Sequence, residues 1–140
     1  MKKMLYVMSC LLILNSRAWA ANKTHEKYHN VDHLSFISSQ VPVNPKGILV
    51  SSSIDKQIQQ TFENLVNTAQ EAGATIEAGK IKNVVKLNVY LKDMATLAIV
   101  DKYMLKYLTG NLPAITPVGG IDMGSAGYLV SMDAIVELPQ

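Results

Sequence analysis

His25-Glu26-Lys27-Tyr28-His29 carries the H-E-x-x-H spacing. On a helix that spacing sets two imidazoles on one turn to bind zinc, with the glutamate beside them as a base. His33 follows four residues later. The flanking sequence offers no apolar face and no preceding strand to bury such a site. A solvated chance match without a resident metal is therefore expected, and loose coordination by His25, His29 and His33 stays open. All three histidines of the chain fall in this stretch, which leaves none for a serine–histidine–carboxylate triad elsewhere.

The residues before this stretch have a different purpose. Lys2 and Lys3 precede an apolar run over residues 4–14, which Asn15, Ser16 and Arg17 interrupt. Ala18-Trp19-Ala20 then supplies the small-x-small pattern of a signal-peptidase site. The run is too short for a bilayer core of roughly 30 Å. A signal peptide over residues 1–20, cleaved after Ala20, is expected, with a periplasmic or secreted product. Cleavage would remove Cys10, Trp19 and Arg17, the only cysteine, tryptophan and arginine. The remainder has ten lysines against eleven Asp and Glu, so the formal charge of +2 becomes −1. That balance, with no long lysine run, argues against nucleic-acid binding. No second hydrophobic span follows, so no membrane association is expected after cleavage. Without cysteine no disulfide can form, and stability must come from one core.

Residues 21–33 are polar and are read as a flexible lead, with one domain over 34–140. Extended runs at 34–39 and 48–51 flank Pro42, Asn44, Pro45 and Gly47, which suggests a hairpin. A helix follows, with Ser52 as N-cap, Asp55 in its first turn and Gly73 as its left-handed stop. Ile54, Ile58, Phe62, Leu65, Ala69 and Ala72 form its apolar stripe. Gln57, Gln60, Asn64 and Asn67 read as its solvated side. Residues 84–91 alternate as a strand, with Val85, Leu87, Val89 and Leu91 on one face and Lys86, Asn88 and Tyr90 on the other. Asp93 caps a second helix, carrying Leu97, Val100, Met104 and Leu108, and two extended pieces follow Pro113. On the last of them Tyr128, Val130, Met132, Ala134, Val136 and Leu138 face one way, with Ser131, Asp133 and Ile135 opposite.

The order β-β-α-β-α-β-β predicts an α+β fold, a mixed sheet with two helices on one face. The other face would need water or a partner, so oligomers are expected.

Several segments resemble one family. Ser38-Ser39-Gln40-Val41-Pro42 is similar to the "SGQ-hydrophobic-P" signature of the RidA/YjgF family, and residues 59–65 to the start of its "Q…N" helix. Residues 81–94 resemble its "VVK…KD-M/L" strand, while Leu112-Pro113-Ala114 and Asp133-Ala134-Ile135 resemble its "P-A-R" and "E-A-I/V" landmarks. The resemblance implies a chorismate-mutase-like fold, a homotrimer and small-molecule pockets between subunits. It implies hydrolysis of 2-imino or enamino acids, without a cofactor. It also implies a pocket containing Ser38, Ile115, Thr116, Pro117 and Asp133, with Asp133 as the catalytic carboxylate that positions water.

The departures from the family lie in that pocket. Ile115 stands where the family has the arginine that clamps a substrate carboxylate, and Pro117 where it has cysteine. Asp133 replaces glutamate, and about three extra residues fall near 119–127. The leading expectation is a trimer that binds a small metabolite, with deaminase activity weak or lost. The alternatives are a hydrolase of small imines using Asp133 and water, and a cell-envelope interaction protein with a vestigial pocket. RNA cleavage, linked to some relatives, fits poorly with the charge of −1 and the missing arginine.

Overall fold

The computed structural model describes residues 25–140. The expected signal peptide and the start of the lead lie outside them. The elements run β1 (Tyr28–Val31), β2 (Leu34–Gln40), α1 (Ile54–Ala72), β3 (Ile76–Glu77), β4 (Lys80–Lys82) and β5 (Val84–Leu91). A 3₁₀ turn (Met94–Thr96), α2 (Leu97–Tyr107), β6 (Leu108–Thr109), β7 (Ala114–Val118) and β8 (Val130–Glu137) complete them. Five strands form one mixed sheet in the order β1-β2-β8-β5-β7, and β3, β4 and β6 form a small second sheet. The α+β reading holds, with additional short strands.

Residues 28–31, assigned to the flexible lead, instead form a strand hairpin with β2. This strand is tied to the end of α1. Lys27 pairs with Glu71 at 3.1 Å, and Asn30 Nδ2 donates to the Ala72 carbonyl at 3.0 Å. The expected hairpin between 34–39 and 48–51 is reduced to a single bridge, Val43 with Leu49. β2 is satisfied instead by β1 and β8 on its two sides.

Helix α1 forms because its apolar residues recur at helical spacing. Ile58, Phe62, Leu65 and Ala69 are fully buried against Leu87, Val89, Val130, Met132 and Val136 of the sheet. Gly73 ends the helix at φ 98°, its N–H bonding to the Ala69 and Gln70 carbonyls. The N-cap is Ser53 rather than Ser52. Asp93 caps the 3₁₀ turn leading into α2, accepting from Ala95 N at 2.9 Å.

Strict alternation fails in β5. Val84 pairs with Val136 and Lys86 with Ile135, which leaves Val85 without a partner in a bulge. Val84 therefore enters the core, and Val85 is 48% exposed. The reading that put Val85 on the core face is corrected by this one-residue insertion.

The two helices are joined through aromatic rings. Phe62 stacks on Tyr107 at 5.6 Å, Tyr103 OH donates to Asp55 at 2.7 Å, and Tyr107 OH donates to Glu63 at 3.0 Å. The Asp55 hydrogen bond, then burial, pushes the Tyr103 phenol up to about 12. Burial first, then the Glu63 bond, does the same to Tyr107. Both phenols hold their protons more tightly folded than unfolded. Their contribution is therefore complete below the ordinary value of 10.0 and lost as pH rises through about 12. Urea unfolding followed by circular dichroism should show stability falling across that window. A Tyr103→Phe, Tyr107→Phe double variant should flatten the fall.

Candidate functional site

The helices cover one face of the large sheet, and the opposite face carries the polar chemistry. On β5 that face presents Lys86, Asn88 and Tyr90. The register sets Asn88 between Thr116 of β7 and Asp133 of β8, and Tyr90 opposite Ser131. Asn88 Nδ2 donates to Asp133 Oδ1 at 2.7 Å, which fixes the carboxylate. Hydrogen bonding to Asp133, then burial and the carboxylate charge, raise the Tyr90 phenol above its ordinary 10.0. Tyr90 thus stays a protonated donor at neutral pH. Lys86 Nζ is turned the other way, donating to Thr116 Oγ1.

A second bulge completes the site. Ile37 pairs with Ala134 and Gln40 with Met132, so Ser38 and Ser39 together stand opposite Asp133. Beyond them a cavity of about 330 Å³ is lined by Ser39, Val41, Tyr90, Ile121, Met123 and Ser131. Its size lies within the range of small-ligand pockets. Ile121 and Met123 come from the loop where extra residues were expected, and Ile121 N is held by the Leu91 carbonyl at 3.2 Å.

Helix α1 secures the segments that carry these residues. Gln57, assigned to its solvated side, is fully buried. Its Nε2 donates to the Ser51 and Gly127 carbonyls at 2.7 and 2.8 Å, and its Oε1 accepts from Leu129 N at 2.8 Å. Asn64 Nδ2 donates to the Val41 and Val43 carbonyls at 2.9 and 2.8 Å. Thr68 Oγ1 donates to Gln40 Oε1 at 3.2 Å. A helix face that reads as solvated is therefore what positions the cavity walls. Asn67 on the same helix is exposed as expected.

The residues implied by the resemblance separate into groups. Thr116 and Asp133 share the outer face through Asn88. The Ser38 hydroxyl is engaged away from the cavity, donating to the Lys27 carbonyl at 2.8 Å, and its neighbour Ser39 lines the cavity instead. Ile115 and Pro117 pair with Leu87 and Val89, so within one protomer they stand on the helix side of an edge strand. Asn88, Tyr90, Ser39 and Ser131 were not singled out from sequence. The alternation of β5 and the parity of Ser131 with Asp133 contained that signal.

The histidine motif does not form a helical turn. His25 lies in a bend, His29 is on β1 opposite Phe36, and His33 is in the turn between β1 and β2. The strand geometry explains why: residues i and i+4 of an extended chain are far apart. His29 is thus part of the sheet and not of a tail.

Residues 16–138 match the family described as Endoribonuclease L-PSP. A RutC family protein of Pyrococcus abyssi is 30% identical over 106 residues, which cover 75% of this chain and 79% of the relative. The 2-iminobutanoate/2-iminopropanoate deaminase of Salmonella typhimurium is 33% identical over 64 residues, 46% of each chain. The crystal structure of RidA from an Antarctic Psychrobacter has a TM-score of 0.70 at 24% identity, covering 84% of this chain and 91% of that one. The match over nearly the whole domain, together with the two-helix mixed-sheet fold, shows that the chain belongs to the RidA/YjgF family.

Proposed function

We propose that the protein is an exported homotrimer that binds a small metabolite beside Asp133, with deamination of 2-imino acids weak or lost. The observation that carries this reading is the outer sheet face. It has a cavity and an oriented carboxylate, but Lys86, the cation that β5 presents there, is bound to Thr116. A guanidinium clamp for a substrate carboxylate is missing from the sequence after Arg17.

Exposed apolar side chains support assembly. Phe36, opposite Ile135 on the outer face, is 44% exposed, and Val31 and Val85 are 47% and 48% exposed. Uncovered apolar groups on one face favour association. The family resemblance implies that Ile115 and Pro117 belong to a pocket between subunits of a trimer. A second reading is favoured by the Asn88–Asp133 bond: a carboxylate fixed in this way can orient a water for hydrolysis of an imine that lacks a carboxylate.

Light scattering should give three times the chain mass, and native mass spectrometry of the same sample should show retained small ligands. A monomer would rule out an intersubunit pocket.

A further inference from the structure

The cavity wall divides into two chemistries. Ser39, Ser131 and the Tyr90 hydroxyl are polar, while Val41, Ile121 and Met123 are apolar. The polar side adjoins Asp133. Among the described residues Asp133 makes no ion pair, unlike Asp55, Glu71 and Glu77. A carboxylate has about four lone-pair sites over its two oxygens. Asn88 takes one of those on Oδ1 and the Tyr90 hydroxyl takes another, and acceptor capacity remains.

We infer that the pocket selects a small cation, a primary ammonium or iminium carrying a short alkyl chain, and not an anionic 2-imino or 2-oxo acid. This rests on the proposed pocket beside Asp133 and names its ligand class. The ammonium would donate to Asp133 and to the hydroxyls of Ser39 or Ser131, because an ammonium has three donors and no acceptor. Its hydrogen bond to a carboxylate is of the charge-assisted kind, the stronger class. The alkyl chain would lie against Val41, Ile121 and Met123. An anionic ligand meets the opposite situation. It would place its carboxylate near that of Asp133, and Lys86 on the same face is engaged by Thr116 of β7. Lys86 would also repel an ammonium weakly from its distance of two residues along the strand from Asn88.

Calorimetric titration of the purified protein with n-butylammonium chloride and, separately, sodium 2-oxobutanoate tests this. Amide-shift mapping of Ser39, Tyr90 and Ser131 reports where each binds. Butylammonium should bind with shifts at those residues, and more tightly than 2-oxobutanoate. Asp133→Asn should weaken it tenfold or more, and Lys86→Gln should tighten it severalfold. The Lys86 variant keeps the test decisive if Asp133→Asn does not fold. Tighter binding of 2-oxobutanoate at the same residues would overturn the ligand class and leave the pocket standing. Shifts from neither compound would overturn both. Butylammonium binding that survives Asp133→Asn unchanged would also overturn the inference.

Discussion

Replacing Gln57 with alanine should lower the free energy of unfolding by about 3 kcal/mol, read as a lower urea midpoint at unchanged slope. The side chain is fully buried and makes three hydrogen bonds, to Ser51, Gly127 and Leu129. A typical hydrogen bond contributes only about 1 kcal/mol net, but a buried group left without a partner costs roughly 1–3 kcal/mol. Here one N–H and two carbonyls lose their partner together. Water can reach some of them, which keeps the figure below the full sum. The loss should also be local. Amide exchange at Leu129, whose N–H is held by Gln57 Oε1, should rise before exchange in the centre of β5. Gln57→Leu, which refills the volume, should recover little, because the partners stay unpaired. Recovery of most of the stability by leucine would mean that packing, and not hydrogen bonding, holds this corner.

Gln57 also shows what one sequence can and cannot reveal. The stripe from Ile54 to Ala72 and the stop at Gly73 follow from helical spacing and from the tolerance of glycine for positive φ, and both are present. The row Gln57, Thr61, Asn64 and Thr68 lies beside that stripe at the same spacing. Gln57, Thr61 and Thr68 are buried all the same. Hydropathy marks a polar side chain as solvated whether its partner is water or backbone. Only the path of the segment around 38–51 and of the Gly127 loop shows which it is.

The strands fail for a different reason. A period of two predicts faces only while no residue is inserted, and a single slip exchanges the faces. The bulge at Val85 exchanges Val84 for Val85 in the core, and the bulge at Ser38–Ser39 puts Ser39 at the cavity. Past the β5 bulge the alternation resumes, and β8 carries no insertion, so the spacing of two places Leu87, Val89 and Asp133 on the correct faces. The site itself was half legible. Asp133 and Thr116 came from a resemblance, whereas Asn88 and Tyr90 become neighbours of Asp133 only through the pairing of β5 with β8.

The chemistry of that site makes the second large prediction. An arginine clamp on a substrate carboxylate provides two charge-assisted bonds, each worth about 1.5–3 kcal/mol. Lys86 does not replace it, being a single point charge engaged by Thr116. Losing even one such bond's worth of transition-state binding lowers the rate by roughly tenfold, and losing both by at least a hundredfold. Asp133 and Tyr90 could still handle a proton and a water, so a slow residual reaction is compatible with the geometry.

The most direct measurement is ammonia release from 2-iminobutanoate by the purified protein, with the Salmonella typhimurium deaminase assayed beside it under the same conditions. The expected rate is at least a hundredfold below that of the relative, at equal subunit concentration. A rate within a few fold of it would contradict a lost or weakened deaminase: the reaction would then proceed without the arginine, with the substrate carboxylate bound by other groups.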